Sequence, residues 1–236
     1  MIRIYAFRAI DNEAECLEYA SCHKKVLESF NLGNISTNNV EWAYNEQVYV
    51  LVARSETTGN MLGGIRIQLA DGKIALPVEN AVSHFDPKVH DLVELYRHQG
   101  GTAELCGLWN SREESPNVGI TLNLVLAGLA ICNQLPITSM FTIVASYTLK
   151  IALQVGFVIE KQVGNNGEFV YPNSNYVAKV LTMNPYTLEK TYQIYKEKII
   201  NMRQNTLISR EEITPKGQQV VFNHNLNLSH EKIIPS

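Results

Sequence analysis

SYTLKIALQVGFVIE, residues Ser146 to Glu160, is the stretch on which the fold turns. Tyr147 to Val155 carries apolar residues at helical spacing and reads as a short amphipathic helix. Gly156 suits its C′ position, where a left-handed residue ends a helix without steric cost. Phe157 to Val163 then reads as a strand, NNGE as a hairpin-like turn, and Phe169 to Tyr171 and Tyr176 to Met183 as further strand material. Upstream, Ser139 to Ala145 is a strand of Met, Phe, Thr, Ile and Val. Before it runs an apolar helix from about Val118 to Gln134, stopped by Pro136. That helix follows a strand over Thr102 to Trp109 and the polar connection SREESPN. Two strands joined by one crossover helix become parallel neighbours, right-handed by default.

Further out, Ala6 to Phe30 is expected to be a helix whose face includes Cys16, Leu17, Ala20, Val26, Leu27 and Phe30. NLGNISTNN reads as loop. Val48 to Arg54 and Leu62 to Leu69 form a hairpin around SETTGN, with Ile65, Ile67 and Leu69 on one face and Arg66 and Gln68 on the other. Pro77 to Gly101 holds a loop and one short helix around Pro87 to His98. Tyr186 to Met202 reads as a polar helix, followed by a weakly patterned tail with one strand at Gln219 to Phe222. The order predicts an α+β (α/β/α) fold: a mixed, mostly antiparallel sheet, with helices on both faces. Residues 1–185 form the expected domain, and 186–236 a C-terminal helix and tail extension.

Composition bounds the function classes. The 236 residues are 45% hydrophobic and 18% charged, enough for a sizeable core. The net charge of -3, without blocks of one sign, points away from nucleic acid. No apolar leader segment stands at the N-terminus, and the most apolar run, Val118 to Cys132, is too short to span a bilayer. A cytoplasmic protein without stable membrane insertion is expected. Cys16, Cys22, Cys106 and Cys132 show no metal-ligand spacing, so no metal is expected.

The helix ending in Gly156-Phe157, set between strands and followed by a hairpin, resembles the Gcn5-related N-acetyltransferase superfamily. AELCGLW, Ala103 to Trp109, resembles the strand of autoinducer synthases and long-chain N-acyl amino acid synthases that carries a glutamate, here Glu104. The arginine of that pattern is absent. GGIRIQL, Gly63 to Leu69, resembles their Gly-x-x-Arg-Leu strand, with Arg66 in the arginine's place. EWAYNEQVY, Glu41 to Tyr49, stands where autoinducer synthases carry paired aspartates, which argues against a homoserine lactone product. The superfamily's pyrophosphate loop keeps only Gly119 in PNVGIT, and Ala152 replaces a tyrosine that many members carry.

The resemblance implies a splayed parallel strand pair holding an acyl thioester, from coenzyme A or an acyl carrier protein, and an amine acceptor such as an amino acid. Leu108 and Trp109 would flank the donor arm. Its phosphates would meet Arg112, Asn117, Val118, Gly119 and Ile120 at the start of the apolar helix, where free N–H groups favour an anion, with Ser115 or Asn117 as cap. Glu104, on an apolar strand, is the expected general base, since desolvation raises a carboxylate's pKa towards neutrality. Arg66 would grip a substrate carboxylate, Cys106 would border the substrate, and Tyr147 or Ser146 would protonate the leaving thiolate. Plainer alternatives stand beside each: Glu104 facing outward to a surface cation, Arg66 bridged to Glu104, Cys106 as core, Ser146 as a helix cap, Arg112 as a solvated loop residue, Gly119 as packing. A carrier protein would want basic residues at the mouth, and Lys150 and Lys161 are scattered candidates. A catalytically degenerate module that holds an acyl group or a partner is the competing function. Oligomeric state is left open.

Overall fold

The structure, a computed structural model, describes residues 1–30, 40–111, 119–214 and 217–228. Among these residues ten strands form one sheet: β1 (Ile2–Arg8), β2 (Val48–Ser55), β3 (Met61–Leu69), β4 (Thr102–Asn110), β5 (Ser139–Ala145), β6 (Val158–Ile159), β7 (Glu168–Val170), β8 (Val177–Met183), β9 (Leu207–Ile213) and β10 (Gln219–Asn225). The order across the sheet is β6-β8-β5-β4-β3-β2-β1-β10-β9, with β7 also on β8. Among the described residues only β4–β5 and β1–β10 are parallel. Six α-helices of the described residues cover it: α1 (Glu13–Ser29), α2 (Pro77–Val82), α3 (Lys88–His98), α4 (Ile120–Ile131), α5 (Ser146–Gln154) and α6 (Gln193–Gln204).

The period-two pattern of β3 sorts the layers. Ile65 and Ile67 pack with Leu105, Met140 and Leu181 against α4, α5 and α6. Arg66 and Gln68 lie on the opposite face, whose apolar neighbours join α2 and α3 through Phe141 and Val180, and α1 through Tyr19. α4 is buried on nearly every side, which is why its sequence shows no polar stripe. α5 ends as expected. Gly156 N–H donates to Leu153 O and Phe157 N–H to Ala152 O, the paired bonds of a Schellman cap around a left-handed glycine. A Cβ on Gly156 would collide with Thr191 Oγ1.

Five expectations need correction. The N-terminal segment is a strand before it is a helix: Ile2, Ile4 and Ala6 alternate inward along β1, and α1 begins only after Asn12, whose side chain caps the Glu15 amide at 3.2 Å. The buried face of α1 is Cys16, Tyr19 and His23, while Leu17 and Phe30 are exposed. α2 is an additional helix between β3 and α3. The strand expected over Phe157 to Val163 is only Val158–Ile159. The tail contains a hairpin, β9–β10, and β10 pairs in parallel with β1 from Ile2↔Phe222 to Tyr5↔Asn225. Among the described residues, no helix is long and apolar enough to cross a membrane.

Candidate functional site

The parallel ladder between β4 and β5 lasts three residues: Thr102↔Ser139, Ala103↔Met140 and Glu104↔Phe141. Past Glu104 the strands part. β5 stays paired with β8 from Met140 to Ala145 and β4 with β3 out to Asn110, so the sheet opens between its two halves, and β4 carries a bend at the opening. The bend has a local cause. Gly64 pairs with Trp109 but Arg66 pairs with Cys106, which leaves one extra residue on β4. Such a bulge kinks and twists its strand. Gly107 sits there at φ +63°, where a Cβ would lie 2.8 Å from Arg66 Nε. The Tyr19 hydroxyl donates to Gly107 O, and a Cβ on Gly64 would overlap the Tyr19 ring. Two glycines on adjacent strands thus let α1 press a tyrosine onto the bulge. Across the opening, Thr142 Oγ1 donates to Leu105 O at 2.9 Å, a side chain replacing a lost ladder bond.

The gap is a cavity of about 380 Å³ lined by residues of both faces of the sheet. Leu105 and Val125 line it on the α4 face, Glu104, Cys106 and His23 on the α1 face, and Tyr147 and Ile151 from α5. Glu104 is fully buried. Its Oε2 accepts from the Val78 amide at 2.5 Å, while Oε1 has no partner among the described residues. Burial lifts its pKa from 4.5 to about 8, against the pull of the Val78 bond and the Arg66 charge. The Cys106 thiol is pushed up to about 12 by burial, so it is neutral and no nucleophile. Burial and the Arg66 charge hold His23 down at about 3, which keeps its imidazole uncharged at neutral pH. Arg66 is 2% exposed, with its guanidinium 4.2 Å from the centre of the Trp42 ring.

No protein-family model matches this chain, and no curated protein matches it by sequence. Solved structures do match. FeeM, an N-acyl amino acid synthase from uncultured soil microbes, superposes with a TM-score of 0.58 at 12% identity, over 81% of this chain and 99% of its own. The chain has the Gcn5-related N-acetyltransferase fold. The same fold relates it to BjaI, a CoA-dependent acyl-homoserine lactone synthase, with TM-score 0.55, 16% identity and coverage of 84% and 90%. An acyl-CoA N-acyltransferase from Pseudomonas aeruginosa follows at TM-score 0.53 and 13% identity, over 77% of this chain and 99% of that one.

Within this fold the anticipated residues divide. Glu104, Cys106, Leu108, Trp109 and Tyr147 all line the cavity, Tyr147 at its mouth with 73% exposure. Glu104 does not face outward to a surface cation, and no ion pair joins it to Arg66 among the described residues. Ser146 is exposed and opens α5 without capping it; the N-cap is Ala145. Gly119 is the N-cap of α4, left-handed at φ +79°, and Ile120 is that helix's first residue. The cap expected of Ser115 or Asn117 therefore falls to Gly119. Arg112, Asn117 and Val118 lie outside the described residues.

Sequence reading missed Tyr19, His23, Thr142 and the Val78 amide. Tyr19 and His23 stand four apart on α1, a helical spacing that marks one face. The Val78 amide left no side-chain signal. Gly107 was in view, though its bulge was not. No group of three or more His, Cys, Asp or Glu gathers to hold a metal among the described residues.

Proposed function

We propose that this chain is an acyltransferase that takes an acyl group from a thioester laid in the β4–β5 wedge and delivers it to an amine. The observation that carries this reading is the fully buried Glu104, with one carboxyl oxygen unpartnered among the described residues, at the point where the two strands part. An acyl-CoA or an acyl carrier protein is the donor. Its pantetheine arm takes up the backbone groups that the separated strands leave open beyond Glu104. Leu108 and Trp109 flank the arm, and its phosphates meet the α4 start at Gly119 and Ile120, together with Arg112, Asn117 and Val118.

The acceptor approaches from the α1 face. Glu104, once ionised, takes a proton from its ammonium, directly or through a water. The free amine attacks the thioester carbonyl, the C–N bond forms, and the C–S bond breaks as the tetrahedral intermediate collapses. The second proton of the attacking nitrogen passes to the leaving thiolate through Tyr147 or Ser146, which ends the cycle in its starting state. Arg66 supplies a cation for an acceptor that carries a carboxylate, such as an amino acid; its stack on Trp42 holds it on the same face as Glu104. Cys106, neutral, borders the acceptor. The names of the three solved neighbours, each for an acyl product or donor, support the same class. A cytoplasmic setting, where acyl thioesters are made, accords with this reading.

The test is direct. Protein mixed with acyl-CoAs of graded length is assayed for bound thioester by native mass spectrometry and for released thiol in the presence of amino acids. Thiol release that requires Glu104 supports the enzyme. No bound thioester at any length ends the proposal. One observation favours a second reading: α5 carries Ala152 at the cavity wall where many members place a tyrosine. A module that binds acyl thioester without turnover would show binding and no thiol release with any amine.

A further inference from the structure

Among the described residues, the hydrogen bond to Glu104 comes from α2, a helix of six residues. A helix that short has no stability of its own, so its first turn needs a side-chain anchor to present the Val78 amide. Glu79 is that anchor. Its Oε2 accepts from the Leu76 amide at 2.6 Å and closes the turn from within. Its Oε1 lies 2.7 Å from His90 Nδ1, which ties α2 to α3. The Glu79 side chain is largely buried and the His90 ring is half in solvent. Both Glu79 oxygens are engaged, Glu104 lines the cavity, and of its two oxygens Oε2 is engaged while the buried Oε1 has no hydrogen-bond partner among the described residues.

We propose that Glu79 and His90 are positioning residues for Glu104: their clamp on α2 aims the Val78 amide at Oε2, and so leaves Oε1 as the oxygen that meets the substrate. The second half of this statement rests on Glu104 being the base of the proposed reaction; the first half does not. The groups around Glu104 make the clamp measurable. Arg66 on β3 favours its ionised form and Glu79 on α2 opposes it. Its sheet partners, Gln68 and Phe141, are uncharged, Cys106 is neutral, and His23 reaches the same cavity from α1 without charge. Charge and position at Glu79 therefore act on Glu104 with opposite signs.

The experiment follows the titration of Glu104 by carbon-13 NMR of glutamate-labelled full-length protein, the resonance being assigned by its loss in Glu104→Gln. Glu79→Gln keeps an acceptor for the Leu76 amide and removes the charge; the Glu104 midpoint falls by about one pH unit. Glu79→Asp keeps the charge and shortens the reach to Leu76; the amide is no longer aimed and the midpoint rises. A mere charge effect would leave Glu79→Asp at the wild-type midpoint, and that result overturns the proposal whatever Glu79→Gln does. In turnover, Glu79→Asp lowers kcat about tenfold with the donor KM unchanged, the signature of a displaced catalytic group. Absence of turnover in the wild type would strike the enzyme reading alone, because the titration needs no substrate.

Discussion

The two halves of β4 obey different rules. From Thr102 to Glu104 the strand is paired on both sides, with Leu69 to Gln68 across one edge and Ser139 to Phe141 across the other, and it is buried throughout. From Leu105 to Asn110 it keeps its β3 partner, loses β5, and crosses a bulge at Gly107. The first half is rigid enough to hold a carboxyl group away from water. The second half gives up ladder bonds to make room. Glu104 is the last residue of the first and borders the second, so one strand supplies both a desolvated acid and the space beside it.

The sharpest way to break this comparison is at the junction. Glu104→Gln keeps the shape and the Val78 bond but cannot take a proton. Thiol release is expected to fall about 10²- to 10⁴-fold with thioester binding intact. Next is the bulge. Gly107→Ala places a Cβ at a positive φ and within 2.9 Å of the Tyr19 hydroxyl. A loss of about 1–3 kcal/mol is expected in urea unfolding, with weaker thioester binding, because the kink that opens the wedge is strained.

The buried acid also fixes a pH dependence. With its pKa raised from 4.5 to about 8, folded Glu104 keeps a proton that the unfolded chain has lost. The folded state binds more protons in that window, so wild-type stability falls as pH rises through it, and levels off above it. Urea midpoints across about pH 5 to 9 should show this slope, and Glu104→Gln should flatten it. The smallest effect sharpens the open half. Thr142→Val removes only the hydroxyl that bridges to Leu105 O. A cost of about 1 kcal/mol is expected, with the Leu105 amide neighbourhood exchanging hydrogen faster.

Much of the sheet was legible. β5 and β8 carry β-branched and apolar runs, and the Gly156-Phe157 ending sits where the helix signal stops. The edges were not. β1 is seven residues whose tail merges into the composition of the following helix, and its alternation is lost in any window wide enough to see α1. β9 alternates exposed and half-buried residues, LISREEI, and its charges mask the strand. α2 is held by Glu79 and by packing under Leu76 and Val82, so its propensity says little. At the site, residue types that carry charge or ring chemistry stood out, and backbone groups such as the Val78 amide did not.

By itself the sequence determined the central strand–helix–strand, the two faces of β3, and a carboxylate on an apolar strand, because side-chain periodicity and composition are local properties. Only the tertiary structure decided that β4 and β5 part after three pairs, that Gly107 is the bulge, and that a six-residue helix supplies the donor to Glu104. Those outcomes depend on which strands share an edge and which backbone groups are left unpaired, and neither is written in any one segment.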